Sequence, residues 1–113
     1  IRWSDEDAED AWVRDLVNMH QRGEKGFGPA LGPDAPRALQ DLAGPGLATL
    51  SSDWKIGAAD KDMRGALVDG WAAAAAEIAP DDGARISAWA ERRRQIESGL
   101  VVGHADQLML PVL

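Results

Sequence analysis

The chain has 113 residues and a mass of 12.1 kDa, about the length of one domain. Twelve basic against nineteen acidic side chains leave a net charge of −7, which repels a phosphate backbone and an anionic bilayer and argues against both as partners. Without a cysteine, it can build no disulfide, thiolate metal site, thiol nucleophile or iron–sulfur cluster.

In chain order, Ser4 followed by Asp5, Glu6 and Asp7 predicts a helix start, with a hydroxyl cap and carboxylates where the helix dipole favours them. Ala8, Trp12, Leu16 and His20, with Val13 and Val17 beside them, recur at helical spacing, so the helix is expected from about Asp5 to Arg22. Glu9 and Asp10 extend the acidic run, which reads as a solvated face rather than a calcium loop. Four glycines and two prolines between Gly23 and Pro33 predict a loop. Asp34 then caps a short helix through Ala38, Leu39 and Leu42 that ends at Gly44-Pro45-Gly46. Leu47 to Leu50 is a short strand and Ser51 to Ala59 a connection.

The strongest helical stripe, Met63, Leu67, Trp71, Ala74 or Ala75 and Ile78, starts near Asp60 and closes at Pro80. Asp81 or Asp82 caps a last helix with Ile86, Trp89, Ala90, Arg93 and Ile96 on one face, and Gly99 is its natural C-terminal cap. The triplet Arg92 to Arg94 sits where a helix C-terminus favours cations. Leu100 to Val102 reads as a strand and Leu108 to Pro111 as an extended tail. Trp12, Trp71 and Trp89 fall on helical stripes and belong to the core, whereas Trp3 and Trp54 lie at element edges, where a tryptophan lines a pocket.

Residue chemistry alone declares no enzyme. Gly26 to Gly32 has the glycines of a phosphate loop but no preceding strand, and Pro29 removes a donor. His104 and Asp106 project from one strand face without a third ligand, so no metal site is expected. Ser51 and Ser52 lack a nucleophile elbow.

Several segments together resemble a bacterial branch of the class I S-adenosylmethionine-dependent methyltransferases. They are Ala11-Trp12-Val13, Asn18 to Arg22, Lys25 to Pro33, Ser52 to Gly57, Leu67 to Ala74, Ala88 to Arg94, and Val102 to Asp106, in the family's order and over nearly the whole chain. The resemblance implies a helix-rich α/β fold: about four helices with a short antiparallel strand pair, from the C-terminal half of a Rossmann-like sheet. Ile1 becomes the stump of a fifth strand, Leu47 to Leu50 lies near a sixth, and Leu100 to Val102 lies near a seventh, inserted antiparallel. The strands at Leu47 and Leu100 are expected to pair with each other.

The family's glycine-rich cofactor loop and the acidic residue after its second strand have no counterpart here. The expectation is therefore a single domain or domain fragment over residues 1–113. It would be cytoplasmic, unable to hold S-adenosylmethionine by itself, and inclined to associate with a missing N-terminal half or with itself. Within the full protein it would supply acceptor-side residues, with Asn18, His20, Gln21 and Lys25 on the substrate rim and Trp54 as a wall. The acceptor is unspecified. The alternative reading is a free-standing acidic helical module that binds a partner protein through an apolar groove and has no catalytic activity.

Overall fold

The computed structural model describes residues 1–23 and 28–109. Four helices, α1 (Ala8–Gln21), α2 (Ala35–Ala43), α3 (Lys61–Ile78) and α4 (Gly83–Gln95), alternate with five short strands, β1 (Arg2–Trp3), β2 (Leu47–Ser51), β3 (Trp54–Ile56), β4 (Leu100–Val102) and β5 (Ala105–Met109). The fold is mixed α/β and helix-rich, and every strand pairing is antiparallel.

The first helix starts later than the acid-rich run suggests. Asp7, not Ser4, is its cap: the Asp7 carboxylate accepts the Asp10 N–H at 3.1 Å and the Asp10 carboxylate accepts the Asp7 N–H at 2.9 Å. This reciprocal pair satisfies two donors at once. Ser4 lies instead beside Ser98, 3.2 Å between hydroxyl oxygens. At the other end of the chain, α4 finishes at Gln95, so Gly99 is not its cap. Gly99 donates its N–H to the Ser4 hydroxyl at 3.1 Å. Gly44, at φ +72°, ends α2 in the left-handed region that favours glycine.

The connection expected between Ser51 and Ala59 contains β3. With β2 it forms one side of a long ribbon whose other side is β4 and β5. Leu47 lies opposite Met109, Ser51 opposite Ala105, Trp54 opposite Val102 and Ile56 opposite Leu100. The register therefore runs unbroken from Leu47 to Ile56. The Leu47 and Leu100 strands are not apposed as expected, because they occupy opposite ends of this ribbon. The tail strand begins at Ala105, three residues before Leu108, and Leu110 and Pro111 lie outside the described residues.

Beside the inner end of the ribbon, β1 adds a third strand, giving the order β1-β4-β3. Since Trp3 and Ile56 both face Leu100 across antiparallel ladders, β1 and β3 run parallel to one another around a reversed central strand. Alternation then sorts the side chains. Trp3, Leu100 and Ile56 form a buried row against the helices, and Arg2, Val101 and Lys55 a more open row on the far face.

Trp3 is thus a core residue rather than a pocket edge. Its ring meets Trp71 and Trp89 edge-on, with centroids 6.3 and 6.4 Å apart, contacts worth about 0.5–1.5 kcal/mol each beyond burial. Val13, Leu16 and Val17 of α1, Val68 and Ala75 of α3, and Ile86 and Ala90 of α4 complete the core. The small side chain of Ala75 is fully buried on α3, which packs against both α1 and α4. The outer ribbon has its own support: Gln107 donates to the Pro36 carbonyl at 2.7 Å and Thr49 to the Gln40 side chain at 2.9 Å, tying it to α2.

Among the described residues no helix is long and apolar enough to cross a membrane.

Candidate functional site

Asn18 and Gln21 stand three residues apart on α1, hence on neighbouring positions of one helix face. Both line a cleft of about 480 Å³ whose other walls include Trp71, Pro36, Asp53 and His104. The cleft sits where β1 and β3 begin, between Ile1, Asp53 and the Gly103 turn of the ribbon.

Asp53 organises that corner. Its carboxylate accepts the His104 backbone N–H at 3.0 Å and the Ser51 hydroxyl at 3.1 Å, with the Arg2 guanidinium 3.6 Å away. The His104 N–H, then the Ser51 hydroxyl, hold the Asp53 carboxyl below the usual carboxylate range. The His104 ring is positioned twice over. Nδ1 lies 3.1 Å from the Val102 carbonyl oxygen, an acceptor only, so Nδ1 is the donor of this contact. Trp54 stacks on the imidazole, with ring centroids 4.3 Å apart at an interplanar angle of 29°.

The five residues predicted for the acceptor side are therefore placed unequally. Asn18 and Gln21 share the cleft, and Trp54 touches its wall through His104. His20 does not line it, since Nε2 lies 2.5 Å from Glu77 on α3. Lys25 lies outside the described residues. Asp53 was not singled out by sequence, because its partner His104 lies 51 residues away. With two amides, one carboxylate and one imidazole, the corner can read hydrogen-bonding groups. It presents no activated nucleophile, and among the described residues no three His, Asp or Glu side chains converge as metal ligands.

A second hollow, of about 580 Å³, runs along the open sheet face past Arg2, Val101 and Lys55 to Ser4, Gly57 and Gly99. It reaches the carboxyl ends of β1 and β3.

The acidic run and the arginine triplet also differ from their sequence reading. Asp10 and Arg93 are buried, and Arg93 donates Nε to Asp10 Oδ1 at 2.8 Å and Nη2 to Asp10 Oδ2. Trp89 donates its indole N–H to the same Oδ1 at 2.8 Å. Arg93 Nη1 reaches Asp5 at 2.8 Å, and the Ser98 hydroxyl donates to Asp5 at 2.6 Å. Burial raises the Asp10 pKa, but Arg93, the Asp7 N–H and Trp89 outweigh it and hold the group below its ordinary value. This network is fully satisfied and fastens the helix starts and ends together; it faces neither cleft.

No protein-family model, curated protein or solved structure matches this chain.

Proposed function

We propose that the chain is the C-terminal portion of an S-adenosylmethionine-dependent methyltransferase-like protein and supplies acceptor-side surface to it. The observation that carries this reading is the strand order β1-β4-β3, in which two parallel strands flank a reversed one. The resemblance calls for a fifth and a sixth strand with the seventh inserted antiparallel; it put the sixth at Leu47 to Leu50, which pairs with β5 instead, and in this reading β3 takes that place.

Methyl transfer needs an in-line approach of the acceptor to the sulfonium methyl, so positioning supplies much of the catalysis. In this reading the cofactor-facing end is the carboxyl end of β1 and β3, near Ser4, Gly57 and Gly99, where the open hollow arrives. The Asn18–Gln21 cleft lies at the opposite end of the strands, so its amides would act on a distant part of an extended acceptor. Asn18, Gln21 and Trp54 remain the proposed acceptor contacts of that end, and His20 is committed to Glu77.

The coding sequence upstream of Ile1 tests the proposal. A strand followed by a glycine-rich turn is expected there, and the protein extended by that half should bind S-adenosylmethionine saturably in a calorimeter. The 113-residue chain by itself should give no binding heat. A start codon directly before Ile1, or an extended protein that gives no heat, overturns the reading. Exposed Leu42, Leu50, Leu108 and Met109 around the outer ribbon favour the alternative, a partner-binding module, and a start codon at Ile1 would select it.

A further inference from the structure

Among the described residues both strands of the outer ribbon have an open edge, and that of β2 is the uncharged one. β2 pairs only with β5, and no strand among the described residues covers its other side. The phase of the ladder tells which groups are free. Ser52 donates its N–H to the His104 carbonyl at 2.9 Å, so Ser52 and His104 form a hydrogen-bonded pair, and in an antiparallel ladder such pairs alternate. Leu50 and Ala48 therefore bond inward to β5, while Thr49 and Ser51 turn both N–H and C=O outward. Leu47 shares that outward phase, and its carbonyl is indeed taken from outside the ribbon, by the Gln40 amide at 3.4 Å.

Natural sheets blunt such an edge with lysine, proline, an inward charge or a bulge. Leu47-Ala-Thr-Leu-Ser-Ser52 has no charge and no proline, and its register against β5 is unbroken. Leu50 at the centre of the stretch is 71% exposed. The other free edges each carry a charge: β5 has Asp106, β3 has Lys55, and β1 is only two residues long, one of them Arg2.

We propose that two copies of this chain associate edge to edge through β2, antiparallel about a two-fold axis at Leu50. Thr49 of each copy then opposes Ser51 of the other, which satisfies all four outward N–H groups and carbonyls of the two pairs in four hydrogen bonds. Leu50 faces its own copy across the axis, and the two ribbons merge into one four-stranded sheet. The symmetry is closed, so association stops at the dimer. Electrostatics select this edge as well. Each copy carries −7, and a neutral six-residue edge lets the backbones meet without opposing like charges, the remaining repulsion being screened within about 8 Å at physiological salt. A contact of this length is small beside the ~800 Å² per partner of a stable interface, so the dimer is a weak one. The inference stands apart from the methyltransferase reading, because it concerns the edge opposite β1.

Single cysteines in this cysteine-free chain test the register. Leu50 and its copy form a non-hydrogen-bonded pair with Cα atoms about 4.5 Å apart, within disulfide reach, whereas Thr49 and its copy are diagonal neighbours at about 7–8 Å. Leu50→Cys should oxidise to a covalent dimer and Thr49→Cys should not. Equal cross-linking of the two, or none at Leu50→Cys, overturns the register. In sedimentation equilibrium the unmodified chain should rise towards twice the monomer mass as it approaches about 1 mM. Leu50→Lys, at an exposed position that leaves the fold intact by circular dichroism, should remain monomeric over the same range. A monomeric parent chain, or a dimer unchanged by Leu50→Lys, overturns the proposal.

Discussion

Asp10, in the first turn of α1, and Arg93, in the last turn of α4, meet as a two-point ion pair whose side chains are 1% and 2% exposed. The guanidinium also lies 4.4 Å above the Trp3 ring, so one buried cation touches the first strand, the first helix and the last helix. Both charges are out of water, and each depends on the other for its solvation.

Removing one partner should consequently cost far more than removing both. Arg93→Met and Asp10→Leu are each expected to destabilise the fold by about 3–5 kcal/mol, because the first leaves Asp10 buried without its cation and the second leaves buried Arg93 with Asp5 alone. The double variant should lose less than either single one. Urea unfolding of the four proteins gives the coupling directly, and additive losses would show that the pair is not a unit.

The same carboxylates set the response to acid. Burial works against ionised Asp10, but Arg93, the Asp7 N–H and Trp89 prevail, and the Ser98 hydroxyl, then Arg93, lower Asp5. Their native pKa values lie below the unfolded value of about 3.9. The stability they contribute is therefore present above that value and is lost as pH falls through the native one. The urea midpoint should drop steeply below about pH 4, and Asp10→Asn, already weaker at pH 7, should lose less of its remaining stability on acidification. Parallel losses in the two proteins would place the acid-sensitive groups elsewhere.

Helix positions were legible because apolar periodicity is local: the stripe through Leu67, Trp71 and Ile78 predicts α3 to within a residue of its observed start. Long-range pairing was not. Nothing near Trp54 announces that Lys55 and Ile56 will find Val101 and Leu100, and a strand of three residues carries too little alternation to be seen. Asp10 reads as one more solvated acid because its partner lies 83 residues away. Of the candidate cleft, Asn18 and Gln21 follow from helical phase, while Asp53 and His104 join it through a ribbon whose register no local pattern specifies.

Capping gives a sharper contrast between neighbours. Asp7→Ala removes the side-chain acceptor for the Asp10 N–H and should cost about 1 kcal/mol, with a loss of helical ellipticity on mild heating. Ser4→Ala touches only the Ser98 and Gly99 contacts and should leave the helix signal unchanged. If Ser4→Ala frays the helix instead, the observed start of α1 is misplaced.

Arg64 is the opposite case from Arg93. It is fully buried near the start of α3, with Nη1 2.6 Å from the Ala58 carbonyl oxygen, yet among the described residues Nε and Nη2 have no acceptor. Stripping a guanidinium of water without replacing its hydrogen bonds costs several kcal/mol. Arg64→Met keeps the length of the side chain and removes the charge. It forfeits the bond to Ala58, worth about 1.5–3 kcal/mol when the donor is charged, and gains the comparable relief of an unburied charge, so the net change should be neutral or stabilising. Each kcal/mol gained would appear as roughly 4–8 °C in Tm for a domain near this size. Arg64→Lys should fare worse than Arg64→Met, since a compact ammonium is more strongly hydrated than a guanidinium and loses more on burial. A loss above about 2 kcal/mol for Arg64→Met would mean that Nε and Nη2 donate to ordered water inside the fold, and that the arginine stabilises this corner through it.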